Sequence, residues 1–163
     1  MKTLIAFYSL TGNVKKIALS LVQATGGELL EIKPKKDIPA KGFMKFMIGG
    51  HQAIKKETPD LVAFDINPGD FDLIFIGTPD WASNFAPAIR SFVALAKLQN
   101  KKIALFCSHG GGDDGGTLAK LEKELADNEI MGKIDFKMDG ISADQINKNL
   151  EAAKLWAQNL IGK

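Results

Sequence analysis

The stretch "LIAFYSLTGNV", residues 4–14, decides how the rest of the chain is read. Five apolar residues, Leu4-Ile5-Ala6-Phe7-Tyr8, stop at Ser9-Leu10-Thr11-Gly12-Asn13, and a helical pattern then begins at once with Val14, Ile17, Ala18, Leu21 and Val22. An unbroken apolar run is how a strand covered on both faces reads, so residues 4–8 are predicted as a strand of a parallel sheet feeding a helix. In the turn between them Ser9 and Thr11 offer hydroxyls, Asn13 offers an amide and a candidate cap, and Gly12 lets the backbone turn tightly. The first-turn N–H groups and the helix dipole favour an anion there. The loop contains no Lys or Arg and no G-x-G-x-x-G, so it is neither a P-loop nor a dinucleotide fingerprint. The anion it suits is a terminal phosphate monoester held by many neutral hydrogen bonds. The plainer alternative is a helix cap with incidental polar residues.

The same alternation continues outward. Apolar runs recur at Leu29–Ile32, Leu73–Ile76 and Ile103–Cys107, with a weaker one at Ile134–Met138. Helical periodicity fills about 13–24, 86–98, 116–128 and 143–161, with Pro87 suited to a first turn and Ser142-Asp144 to a start signal. Strands alternating with helices predict an α/β fold: a three-layer, doubly wound, five-stranded parallel sheet in one domain spanning residues 1–163. Ligands of such sheets sit beyond the carboxyl ends of the strands, which selects the loops 9–14, 77–85 and 108–116.

The totals narrow the function classes. The 163 residues are 45% hydrophobic and 25% charged, an ordinary globular balance. A net charge of +2 is too small to imply nucleic acid. The single cysteine, Cys107, excludes an internal disulfide framework and a cysteine-rich metal site, and it reads as core. No apolar run approaches the roughly 18 residues of a membrane span, so no stable membrane insertion is expected. The first strand begins at Lys2, which leaves no room ahead of it for a signal peptide, and the expected location is the cytoplasm.

The second loop lies in "IFIGTPDWASNFAPAIRSF", residues 74–92. Small residues at Gly77, Thr78, Pro79 and Ala82 make room for a flat ligand against the backbone, and Trp81 supplies an aromatic face for offset stacking. Asp80 and Ser83-Asn84 bracket that indole with polarity; the competing reading places Trp81 in the core. The third loop, in "LFCSHGGGDDGGTL", residues 105–118, holds five glycines in nine residues. Gly110, Gly111, Gly112 and Gly115 let backbone amides approach a ligand edge. Ser108 and His109 are candidate polar contacts, His109 reading equally well as a surface residue. Asp113 and Asp114 are either solvated turn residues or carboxylates beside a ring. In the second case they oppose any negative charge the ring acquires by roughly 1–4 kcal/mol at ~4 Å.

These three loops carry a family resemblance. Ser9-Leu10-Thr11-Gly12-Asn13-Val14 resembles the flavodoxin phosphate loop, Ser/Thr-x-Thr-Gly-x-Thr, with Val14 in place of the usual hydroxyl residue. Gly77-Thr78-Pro79-Asp80-Trp81, followed by Pro87 and a helix, is similar to the first flavin-ring loop, and the glycine-rich stretch to the second. The resemblance covers almost the whole chain, in the short form that lacks a long insertion in strand five. It implies FMN as cofactor and the strand order 2-1-3-4-5. Thr78 would help hold the phosphate or ribityl chain, Trp81 would cover the isoalloxazine, and Asp114 would lie near the ring.

One region departs from the acidic character of electron-carrying flavodoxins, in a chain with a pI of 8.6. Between strands two and three runs "KPKKDIPAKGFMKFMIGGHQAIKKETPD", residues 33–60. Phe43, Phe46, Met47 and Ile54 fall near one helical face, Met44 and Ile48 fall off it, and Gly49-Gly50 is expected to interrupt the helix. Either this is a crossover helix with its apolar face on the sheet, or an exposed Phe/Met patch ringed by lysines from Lys33 to Lys56 docks an acidic redox partner or overhangs the flavin. The function expected is an electron-transfer protein working through bound FMN, needing no catalytic side chain. The alternatives are an FMN-dependent NAD(P)H:quinone or small-acceptor reductase of the same fold and a cofactor-free binding module. A phosphorylatable receiver domain is excluded, because Ser9-Leu10-Thr11 stands where its acidic pair would be.

Overall fold

A computed structural model of the chain describes residues 1–42 and 44–162, with Phe46 described as backbone only. Five strands, β1 (Thr3–Phe7), β2 (Glu28–Glu31), β3 (Leu73–Pro79), β4 (Lys102–His109) and β5 (Glu129–Lys137), form one parallel sheet in the order β2-β1-β3-β4-β5. Helices α1 (Asn13–Thr25), α2 (Met44–Ile54), α3 (Pro87–Ala96), α4 (Thr117–Lys123) and α5 (Ala143–Ile161) connect and cover them. The expected architecture and strand order are those observed.

The alternation of side chains across each strand divides the core in two. Ile5, Phe7, Phe75 and Phe106 meet Val14, Ile17 and Leu21 of α1 and Ala153, Ala157 and Leu160 of α5 on one face. Leu4, Ala6, Ile74, Ile76, Leu105 and Cys107 meet α3 and α4 on the other. Every residue of β1 is buried, as the continuous apolar run requires.

Some local expectations are corrected. Helix α1 is capped by Gly12 in the left-handed region (φ 94°), and Asn13 is its first residue rather than its cap. Helix α2 runs unbroken through Gly49-Gly50. Two glycines cost a helix about 1 kcal/mol each relative to Ala, and packing offsets that cost here. A Cβ on Gly49 would lie 3.0 Å from Ile38 Cδ1 and 3.2 Å from Trp81 Cε3, so only glycine lets α2 approach the indole. Gly77 does not leave room for a ligand, since the Phe106 ring fills the space its side chain would take. Strand β5 begins five residues earlier than expected, with an irregularity in its pairing where Ile103 and Ala104 face Ile130 and Gly132.

The segment between β2 and β3 leaves and returns at one base. Pro34 and Leu61 form an antiparallel bridge there, with Lys35 N–H donating to Asp60 O (2.8 Å) and Val62 N–H to Lys33 O (2.7 Å). The excursion between them carries α2 over the carboxyl end of the sheet.

Candidate functional site

The loops after β1, β3 and β4 converge on one cleft of about 550 Å³ at the carboxyl ends of the strands. That lies within the roughly 300–1,000 Å³ usual for small-molecule sites. Of the residues expected to bind the cofactor, Ser9, Leu10, Thr11, Asn13, Val14, Pro79, Asp80, Trp81, Ala82, Ser108, His109 and Gly110 line it. Gly12, Thr78, Gly111, Gly112, Asp114 and Gly115 belong to the same loops but not to its wall.

The floor of the cleft is the turn after β1. Ser9 Oγ accepts two backbone N–H groups, from Gly12 (3.1 Å) and Lys15 (3.2 Å), so it does the capping that Asn13 does not. With both hydroxyl lone pairs engaged, the Ser9 O–H hydrogen is left to donate. Among the described residues, the backbone N–H groups of Leu10, Thr11, Asn13 and Val14 donate to no protein acceptor. Val14 itself is buried in the apolar layer beneath the turn, so the family's hydroxyl is replaced by core contact. The Asn13 side chain donates to Asp139 Oδ1 at 2.8 Å and thereby ties this turn to the loop after β5.

The second loop is a tight reversal. Trp81 N–H donates to Asn84 O (2.9 Å) and Asn84 N–H to Trp81 O (3.1 Å), with Ala82 and Ser83 at the tip both left-handed (φ 53° and 60°). Thr78 is fully buried. Its hydroxyl accepts Ala86 N–H (2.9 Å) and donates to Pro79 O (2.9 Å). It therefore aims the start of α3 instead of facing the cleft. Trp81 both lines the cleft and packs on the core, Tyr8 meeting it edge-on at 5.5 Å and 90°. The Tyr8 hydroxyl donates to Asp37 Oδ1 at 2.7 Å. Burial, reinforced by Asp37, holds that phenol well above its usual range, so it stays a donor.

The third loop keeps its carboxylates for itself. Asp113 Oδ1 accepts Gly115 N–H (2.8 Å), and Asp114 accepts Gly116 N–H (3.2 Å) and Leu118 N–H (2.7 Å) at the start of α4. They serve as turn and cap residues, and neither lines the cleft. His109 is buried rather than on the surface, with Nε2 2.9 Å from Asp135 Oδ2 and Nδ1 unpartnered among the described residues. Asp80 Oδ1 accepts the Thr117 hydroxyl at 2.8 Å. Burial pushes the Asp80 carboxyl up, against the Thr117 and Ser83 hydrogen bonds and the His109 charge that draw it down. Burial likewise raises the Cys107 thiol, which is fully enclosed and inert as a nucleophile.

Three lining residues escaped the sequence reading: Lys45, Gly50 and Asp139. Lys45 and Gly50 arrive on α2, which the unbroken excursion folds over Trp81, and a Cβ on Gly50 would lie 3.6 Å from the Ala82 Cβ. Asp139-Gly140 is a legible turn signal after β5, with Gly140 at φ 68°, but its approach to Asn13 is a tertiary fact.

Known proteins share this fold. A protein-family model described as flavodoxin matches residues 2–153. The flavodoxin-like domain-containing protein BilS of Clostridioides difficile (strain CD3) is 31% identical over an alignment of 137 residues that covers 81% of this chain and 63% of that protein, so the chain spans less than two thirds of its relative. A flavoprotein from Lactobacillus acidophilus NCFM, solved in complex with FMN, has a TM-score of 0.72 at 25% identity, over 82% of this chain and 92% of its own. An azoreductase from Bacillus anthracis str. Sterne shares the fold, with a TM-score of 0.59 at 13% identity over 98% of this chain and 100% of its own. A match over nearly the whole length, joined to the sheet order and the turn after β1, leads to one conclusion: the chain belongs to the flavodoxin family.

Proposed function

We propose that the cleft holds FMN and that the chain works as an electron carrier. The residues present fit that group. The floor supplies unpaired backbone N–H groups at 10, 11, 13 and 14, the Ser9 hydroxyl hydrogen and the Thr11 hydroxyl for a phosphate monoester, with no cation needed. Trp81 and the small residues Ala82 and Gly110 offer a flat wall to a planar ring. Once bound, the flavin itself supplies the capacity to take and give electrons.

The observation that carries the carrier reading is the state of the titratable groups along the wall. Asp80 is bonded to Thr117, Asp139 to Asn13, and His109 to Asp135. Each has a partner within the protein that orients its loop, and the remaining His109 nitrogen, Nδ1, is buried, which favours electron passage over proton exchange with a second substrate. The relative in complex with FMN supports the choice of cofactor.

The test is reduction of the FMN-loaded protein under anaerobic conditions, followed by absorbance. Bleaching by dithionite with no bleaching by NADH or NADPH is the expected result. Rapid bleaching by either nicotinamide nucleotide would make the protein a reductase instead.

A further inference from the structure

The structure assigns a partner surface to the part of the chain that the cofactor reading leaves unused. Helix α2 turns Gly49 and Ala53 inward, with Gly49 against Trp81. Its other face points Met47 and Ile54 into solvent, 56% and 64% exposed, and Met44, expected off that face, lies exposed beside them (53%) at the i, i+3, i+10 spacing of one stripe. Phe43 and the Phe46 side chain, expected near this face, lie outside the described residues.

Charge says what covers the stripe. Residues 33–56 contain seven lysines and one acid, Asp37, whose carboxylate already accepts the Tyr8 hydroxyl and the Ile38 N–H. Lys41, Lys55 and Lys56 are exposed and make no ion pair with a described residue. Lys33 faces Glu31 at 3.9 Å, and elsewhere Lys2, Lys15, Lys133, Lys148 and Lys154 each face a carboxylate, so what sets this region apart is its count of seven lysines to one acid.

We propose that the outward face of α2 docks an acidic redox protein, one that meets the Met44-Met47-Ile54 stripe with an apolar depression rimmed by Asp and Glu. A second copy of this chain would bring lysines against lysines. A bilayer is the poorer occupant too, because the inward face of α2 is committed to Trp81 and only a narrow stripe remains to insert. Docking there places the partner one helix thickness, about 10 Å, from the cleft. The proposal rests on the carrier reading, for which it names the partner's chemistry.

The test separates the two. FMN loading is followed by flavin absorbance, and docking by fluorescence anisotropy of a labelled plant-type ferredoxin, an acidic redox protein, added to the FMN-loaded chain. Horse cytochrome c, which is basic, is the opposite probe. Ferredoxin should bind and cytochrome c should not, with ferredoxin binding weakening steeply as salt rises. The triple variant Lys41→Glu, Lys55→Glu, Lys56→Glu, which leaves the cleft wall untouched, should bind ferredoxin at least tenfold more weakly and now bind cytochrome c. Met47→Ser with Ile54→Ser should weaken ferredoxin several-fold without changing its salt dependence. Unchanged ferredoxin binding in the triple variant would overturn the proposal. So would capture by vesicles of phosphatidylcholine and phosphatidylserine that the triple variant loses while ferredoxin never binds. A chain that takes up no FMN would instead sink the carrier reading, and the absorbance shows that separately.

Discussion

The turn at residues 9–14 and the excursion at residues 35–60 face one another across the same cleft, and they are held by different means. The turn stands on a fully buried strand, with Val14 sunk in the core below it and Ser9 Oγ binding two of its N–H groups. The excursion is fastened to the body at its Pro34–Leu61 base, by the Tyr8–Asp37 hydrogen bond, by the Ser91 hydroxyl donating to Pro59 O (2.7 Å), and where Gly49 and Gly50 meet Trp81 and Ala82. One wall is thus fixed by burial and backbone hydrogen bonding. The other is a flap fastened at a few points, whose outer surface stays apolar and basic. A rigid floor suits permanent retention of a cofactor, while a lightly fastened outer wall suits encounter with a second molecule.

The largest effect should come from breaking the flap's inner contact. Gly49→Leu drives a side chain into Ile38 and Trp81 and should cost about 1–3 kcal/mol by overpacking. Chemical denaturation would measure the loss, and the tryptophan emission of the native protein should shift to longer wavelength as α2 lifts from the indole. The same substitution at Gly50 should cost less, because its nearest neighbour is a methyl at 3.6 Å.

A smaller effect should come from the floor. Ser9→Ala removes the acceptor for Gly12 and Lys15 and should cost about 1 kcal/mol, the usual value of a lost helix cap. Unlike Gly49→Leu, it should leave tryptophan emission unchanged and weaken FMN binding, which separates the two walls by experiment.

The smallest effect concerns pH. Burial raises the Asp80 carboxyl above its ordinary 3.8, so the native state holds this proton more tightly than the unfolded chain. Its favourable contribution is complete below that ordinary value and fades as pH rises through the folded one. Asp80→Asn, which keeps an oxygen for the Thr117 hydroxyl, should therefore flatten the stability profile over that acid window. Its benefit should be visible at neutral pH and vanish toward pH 4. Thermal melts of both proteins across that range would check it.

Much of this contrast was legible in the sequence. The strands β1, β3 and β4 are buried along nearly their full length and read as continuous apolar runs. Strand β5 reads short in the sequence because its edge residues, the half-buried Gly132 and the exposed Lys133 among them, break the apolar pattern. The turn that floors the cleft is legible because hydroxyls, an amide and a glycine follow a strand without a gap. Lys45 and Gly50 were missed for a physical reason: nothing local says that an excursion will fold back over Trp81, and a Gly-Gly pair reads as a break. The orientation of α2 was equally hidden, since its apolar residues were compatible with either face until Gly49 was seen against the indole. Asp113 and Asp114 illustrate the reverse, chemically suggestive carboxylates that cap their own turn.

The central claim is that an uncharged cradle at residues 9–14 grips a phosphate, and calorimetry of FMN against riboflavin tests it most directly. Two charge-assisted hydrogen bonds at about 1.5–3 kcal/mol each predict FMN binding about 100-fold tighter or more. Equal affinity for the two, or no binding of either, would contradict the account.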